Sequence, residues 1–208
     1  MFTGIIQATA KVLRAVPSAG TRIVSLQRPA SFTDVKEGAS IACDGICLTV
    51  IRFSEASFEV EVMAETLAKS TAGTWNAGTL LNLEPALKIG DSLDGHWVQG
   101  HIDRTVKLLE TSTRGATTWL RFALDSRDRG LLVPQGSVAV NGVSLTISEL
   151  GASSFSVALI SHTIQNTNLS QLAPGATVNL EYDVLGKYIQ ALHKTGSLSL
   201  ESLYEKGY

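Results

Sequence analysis

The amino-acid sequence carries its own copy. Displaced by 97 positions, Ser40-Ile41-Ala42-Cys43-Asp44-Gly45-Ile46-Cys47-Leu48-Thr49-Val50 falls on Ser137-Val138-Ala139-Val140-Asn141-Gly142-Val143-Ser144-Leu145-Thr146-Ile147. Between residues 39 and 84 the same displacement gives 13 identities, among them Ser57-Phe58 with Ser154-Phe155 and Asn82-Leu83-Glu84 with Asn179-Leu180-Glu181. At a displacement of 96, Thr3-Gly4-Ile5-Ile6 faces Gln99-Gly100-His101-Ile102. A repeat this long makes the chain a tandem of two like units, because each half must close its own core. The halves are placed at 1–96 and 97–186, with 187–208 as a terminal helix and tail.

Within each half the residues read as short strands separated by turn chemistry. Asp44-Gly45 and Asn141-Gly142 are hairpin signals, since such pairs accept the positive φ angles of a type I′ turn. With several strands in about 95 residues and little helical periodicity, a small closed antiparallel barrel removes the exposed edges. The expected fold is therefore all-β, two tandem Greek-key barrels. From Asp183 onward the period changes: Val184, Leu185, Tyr188, Ile189 and Leu192 recur at helical spacing. A helix with that stripe has no partner within a finished barrel, and burial against copies of itself is expected.

Composition then narrows the function classes. Hydrophobic residues make up 44% and charged residues 17%, with a net charge of −2 and no basic run to follow a phosphate backbone. Neither nucleic acid nor membrane is an expected partner. The N-terminus lacks the basic and apolar regions of a signal peptide, and a cytoplasmic location is expected. The two cysteines, Cys43 and Cys47, are read as lying on one face of one strand, too awkwardly placed to bridge, and so as free thiols.

The chemistry-bearing residues follow the repeat. Cys47 and Ser144 stand two places after the hairpin glycines, with Thr49 and Thr146 two further on the same face. Ser144 and Thr146 must find hydrogen bonds in a core or face a cavity, and Cys47 is either a small buried residue or a ligand contact. His101 follows a glycine where its counterpart is Ile5, and His162 stands opposite Glu65, which divides the chemistry between two similar scaffolds. Asp183 and Lys187, four apart, read as a helix cap with a solvated ion pair. The four histidines are scattered and give no metal-ligand spacing.

Several ordered motifs together carry a resemblance: Met1-Phe2-Thr3-Gly4-Ile5-Ile6, Gly45-Ile46-Cys47-Leu48-Thr49-Val50, Gly95-His96-Trp97-Val98-Gln99-Gly100-His101-Ile102-Asp103, Asn141-Gly142-Val143-Ser144-Leu145-Thr146, Ser161-His162-Thr163 and Glu181-Tyr182-Asp183-Val184-Leu185-Gly186-Lys187-Tyr188. Spanning nearly the whole chain, they resemble the riboflavin synthase family. Trp97 and Gln99 depart from that family's frequent Phe and Ser. The resemblance implies two six-stranded barrels and a homotrimer held by C-terminal helices, sometimes associated with lumazine synthase. It also implies a cofactor-free, metal-free dismutation of two 6,7-dimethyl-8-ribityllumazine molecules into riboflavin and 5-amino-6-ribitylaminouracil. A non-catalytic lumazine- or flavin-binding antenna of the same fold is the alternative.

Carried over position by position, the resemblance implies a first pocket of Gly4, Ile5, Ile6, Cys47, Leu48, Thr49, Glu61, Val62, Met63, Ala64, Glu65 and Thr66. The second would use Gly100, His101, Ile102, Gln135, Ser144, Leu145, Thr146, Ala158, Leu159, Ile160, Ser161, His162 and Thr163. Glu65, Thr66, His162 and Thr163 would suit ribityl hydroxyls. His101, Ser144, Thr146 and Asp183 are the implied catalytic set.

Overall fold

A computed structural model describes residues 1–115 and 117–194; the expected tail at 195–208 lies outside the described residues. The first barrel is built from β1 (Ala8–Ser18), β2 (Thr21–Gln27), β3 (Ser40–Cys43), β4 (Ile46–Phe53), β5 (Ser57–Val62) and β6 (Leu80–Pro85). The second uses β7 (Arg104–Arg114), β8 (Thr117–Ala123), β9 (Ser137–Val140), β10 (Val143–Leu150), β11 (Ser154–Leu159) and β12 (Thr177–Tyr182). Both close in the same order, β1-β2-β5-β4-β3-β6 and β7-β8-β11-β10-β9-β12. The repeat in the sequence is thus a repeat of topology, and closure pairs the strands all round except at the starts of β4 and β10, where β5 and β11 do not reach.

Local chemistry explains the hairpins and the curvature. Asp44 and Asn141 adopt φ of 44° and 45°, as the turn signals required. A register shift falls between Val12 and Arg14 in β1 and again between Leu108 and Glu110 in β7. Such bulges bend a strand and turn one residue outward, so Leu13 and Leu109 stand exposed in an otherwise apolar-inward pattern. Inward side chains form one core per barrel, around Phe58, Val60, Trp75 and Leu83 in the first and Phe122, Phe155, Val157 and Leu180 in the second.

Three features differ from the expectations. Cys43 and Cys47 lie on successive strands of one hairpin, because the Asp44-Gly45 turn separates them; both thiols are free, Cys43 in the first core and Cys47 half-buried. Two short helices, α1 (Ala64–Lys69) and α2 (Ser161–Asn166), follow β5 and β11, too brief to show a helical period. The terminal helix α3 spans Val184–Lys194 and begins ahead of the 187 boundary. Asp183 Oδ1 caps it by accepting the Leu185 N–H at 3.0 Å. The expected Asp183–Lys187 pair does not form; the Lys187 Nζ turns back to Asp103 Oδ2 at 2.7 Å. Leu185, Tyr188, Ile189 and Leu192 of α3 are exposed. Among the described residues no helix is long and apolar enough to cross a membrane.

The two barrels meet about a pseudo-twofold axis. A Cβ on Gly45 would lie 2.7 Å from the Gly142 nitrogen, and one on Gly142 would lie 2.6 Å from the Gly45 nitrogen. Around these back-to-back turns runs a buried polar network. The Asn82 side chain donates to the Asn141 carbonyl (2.9 Å), and the Asn179 side chain donates to the Asp44 carbonyl (2.9 Å). The twofold match fails where Asn168 donates to Asp44 Oδ1 at 2.9 Å, while its counterpart Thr71 keeps a buried hydroxyl with no partner among the described residues.

Candidate functional site

The polar residues singled out in the sequence stand on the outer walls of the barrels. In β4, Ile46, Leu48 and Val50 point into the core while Cys47 and Thr49 point out; in β10, Val143, Leu145 and Ile147 point in while Ser144 and Thr146 point out. Period two dictates this alternation. The side chains of Leu48, Val62, Leu145 and Leu159 are buried in the cores, so these four can offer a ligand only their backbone. Pairing of Val50 with Val60 and of Ile147 with Val157 carries Glu61–Thr66 and Ala158–Thr163 alongside the two polar rows. Within those runs Met63 and Ile160 stand exposed just before α1 and α2, and Thr66 and Thr163 lie in those helices. Glu65 pairs with Lys69 at 2.7 Å, which lowers its carboxyl below the usual range, and His162 stands exposed beside Asn166.

The expected grouping of the entry segments is reversed. Gly4 does not meet Cys47; its carbonyl accepts the Ser144 N–H at 2.8 Å, while the Gly100 carbonyl accepts the Cys47 N–H at 2.9 Å. Ile6 packs on the second core and Ile102 on the first. Each barrel's entry segment therefore lies on the other barrel, tied at its start by the Phe2–Val98 bridge. The physical reason is edge pairing: β4 and β10 leave amides at Cys47 and Ser144 that an added segment satisfies. Glycine is required at both contacts. With φ of 76° and 83°, Gly4 and Gly100 approach so closely that a Cβ would stand 2.6 Å from that of Ser144 and 2.5 Å from that of Cys47.

Crossing sorts the chemistry into two unlike patches. One combines Cys47, Thr49 and Met63 with His101 from the second entry segment. The other combines Ser144, Thr146 and Ile160 with Ile5 from the first. Gln135 adjoins the second patch through its N–H to the Ile147 carbonyl at 3.0 Å. Its φ of 63° is strained for a long side chain, and the equivalent residue is Gly38.

His96 is a candidate site residue to which the sequence reading gave no role. Its Nδ1 shares a hydrogen bond of 2.7 Å with Ser144 Oγ, and its Nε2 is buried with no partner among the described residues. Burial lowers its pKa, against the opposing charge of Asp183 nearby, so the ring is held neutral. A neutral imidazole has one donor and one acceptor nitrogen, so His96 can take the Ser144 proton or orient its oxygen. The signal in the sequence was its place beside the Gly100-His101 motif.

Thr49 and Met63 of one patch and Thr146 and Ile160 of the other are exposed. Two concave depressions lie away from them, at Arg14, Ile23, Ser25 and Arg52 (about 250 Å³) and at the repeat-equivalent Glu110, Trp119, Arg121 and Glu149 (about 150 Å³). Hydroxyls, a thiol, an imidazole and exposed apolar side chains on an open wall suit a flat polar heterocycle that a second surface covers.

Comparison with known proteins agrees with this geometry. The lumazine binding domain model matches residues 3–86 and again 99–183. The chain is 35% identical over 215 residues to a riboflavin synthase of Actinobacillus pleuropneumoniae, covering 100% of both chains. To that of Bacillus subtilis it is 34% identical over 209 residues, covering 100% of this chain and 97% of the other. In fold it resembles LumP complexed with 6,7-dimethyl-8-(1'-D-ribityl) lumazine (TM-score 0.78, 20% identity) and LumP complexed with riboflavin (TM-score 0.81, 21% identity). Each covers 88% of this chain and 99% of the other. On two matched domains and full-length similarity, the chain belongs to the riboflavin synthase family.

Proposed function

We propose that the chain converts two molecules of 6,7-dimethyl-8-ribityllumazine into riboflavin and 5-amino-6-ribitylaminouracil by transfer of a four-carbon unit. The observation that carries this reading is the pair of related but chemically unlike patches. One scaffold used twice suits two copies of one molecule, and unlike side chains suit two different roles for them. Holding both in register supplies up to about 7–11 kcal/mol of the barrier, so positioning does much of the catalysis.

In this reading Ser144, polarised by His96, and Thr146 place the nucleophile that adds at C7 of the four-carbon donor. His101, together with Cys47, serves the other lumazine and assists proton movement from its acidic C7 methyl. Asp183 sustains charge on the His96 side. Glu65, Thr66, His162 and Thr163 receive the ribityl chains, and Gln135 contacts the second lumazine. The open walls become closed when copies assemble as a homotrimer, so that a first-barrel patch faces a neighbour's second-barrel patch; the exposed stripe on α3 supports such assembly. The enzyme works in the cytoplasm without a cofactor and is able to associate with lumazine synthase.

The test is to incubate the purified protein with 6,7-dimethyl-8-ribityllumazine and follow riboflavin absorbance. Riboflavin at half the molar amount of lumazine consumed is the expected result. Lumazine that binds and fluoresces without being consumed would make the protein an antenna and overturn the catalytic roles.

A further inference from the structure

The repeated Asn-Leu-Glu triplets end in two glutamates that the reaction as drawn does not use. Glu84 on β6 and Glu181 on β12 are 4% and 1% exposed, and among the described residues neither has a cation in hydrogen-bond contact. Each spends its oxygens on backbone amides of an entry segment. Glu84 Oε1 accepts the Thr3 N–H (2.6 Å) and hydroxyl (2.7 Å), and Oε2 accepts the Gly4 N–H (2.9 Å). Glu181 Oε1 accepts the Gln99 N–H (2.7 Å), and Oε2 accepts those of Gly100 (3.0 Å) and His101 (3.1 Å). Neither segment belongs to a regular strand here, so these bonds replace a ladder.

The arrangement has a direction. Glu84 faces Ala42 across the sheet and Glu181 faces Ala139, small residues that leave room for a long carboxylate laid along the wall. On its far side each clamped segment presents the carbonyl of Gly4 to Ser144 or of Gly100 to Cys47. A line of hydrogen bonds thus runs from Glu181 through Gly100 to Cys47, with His101 held directly, and from Glu84 through Gly4 to Ser144. A single carboxylate binding successive amides fixes both the position and the tilt of a peptide.

We propose that Glu84 and Glu181 are positioning residues for the four-carbon transfer, setting where Ser144 and where His101 with Cys47 stand against the two lumazines. This rests on the function proposed above. A displacement of 1 Å in a reacting group can cost about a hundredfold in rate, whereas the ring contacts carried on and beside β4 and β10, Thr49, Met63, Thr146 and Ile160, are not held by a clamp and keep their places when one is loosened.

The test compares wild-type protein with Glu181→Gln and Glu84→Gln in the full chain, measuring lumazine KM and single-turnover riboflavin formation per folded site. A glutamine keeps one acceptor but turns its NH₂ toward amide hydrogens. The expected result is a fall in kcat of about ten- to a hundredfold, with KM within about threefold. A kcat within twofold of wild type in a folded variant overturns the proposal, as does a loss that disappears once the rate is expressed per folded site. Hydrogen exchange on the wild-type protein tests it without any substitution: the amides of Thr3, Gly4, Gly100 and His101 are expected to exchange as slowly as those of β6 and β12, and exchange at free-coil rates overturns it. If wild-type protein binds lumazine but forms no riboflavin, the enzyme reading fails first and takes the positioning role with it, while protected amides still identify the clamps.

Discussion

Asp44 is a carboxylate at the pseudo-twofold axis, and replacing it by asparagine is predicted to stabilise the protein in a pH-dependent way. Burial raises its pKa from 3.8 to about 7, against the hydrogen bonds from the Asn82 N–H (2.8 Å) and the Asn168 side chain (2.9 Å) that favour the charged form. The folded state therefore holds a proton that the unfolded chain has released between about pH 4 and pH 7. Stability falls as pH rises through that window and stays at its lower value above it. A shift of roughly 3 units at 1.36 kcal/mol each puts the loss at about 4 kcal/mol. Asparagine removes the charge and keeps the oxygen, and both observed bonds go to Oδ1 alone; Asn141 already occupies the equivalent turn with an equivalent bond from the Asn179 N–H (2.8 Å). Urea unfolding of wild type and Asp44→Asn at fixed protein concentration is the assay. The variant should match wild type near pH 4 and exceed it by up to about 4 kcal/mol at pH 8. A stability difference that stays constant with pH would falsify the reasoning.

Three further predictions come from the same geometry. Gly100→Ala, which must hold a Cβ 2.5 Å from that of Cys47 at a φ of 83°, should cost about 2–3 kcal/mol in chemical denaturation; unchanged stability would show that the segments are not in close approach. Asp128 is wholly buried and accepts from Arg104 (2.8 Å), the Tyr182 hydroxyl and the Asp125 N–H (2.6 Å). Asp128→Asn should cost about 3 kcal/mol by leaving the Arg104 charge poorly matched, with a denaturation midpoint equal to wild type as the refuting result. If the proposed trimer forms through α3, Tyr188→Glu with Ile189→Glu should give monomers in light scattering and abolish lumazine turnover, whereas a mass unchanged from wild type would refute that role of the helix.

The architecture was legible because it rests on short-range signals. Asp44-Gly45 and Asn141-Gly142 announce the turns by their own backbone preferences, and the alternation in Ile46–Phe53 announces which side chains turn inward. The 97-residue displacement then carried everything learned of one barrel to the other. The crossing was illegible because no local preference encodes it. The resemblance grouped Gly4 with Cys47; the partner that its carbonyl takes, Ser144, is chosen by which strand edge lies within reach after both barrels close. Lys187 misled for a similar reason, since helical spacing offered Asp183 while the fold brought Asp103. His96 was hidden because a histidine reveals its role only through the neighbour its ring meets.

The exchanged entry segments also say what kind of ancestor this geometry fits. A single barrel with the same arm would leave that arm unpaired, and two identical barrels lending arms to each other would form an isologous dimer with this axis as a true twofold. In such a dimer any residue at the axis occurs twice, so an acid at the position of Asp44 would meet its own copy in a dry interface. Joining the halves in one chain releases that constraint: one turn can carry Asp44 and the other Asn141, one clamped arm can end in Ile5 and the other in His101. A single chain, on this view, is what lets two arms of one design carry unlike chemistry to their two walls.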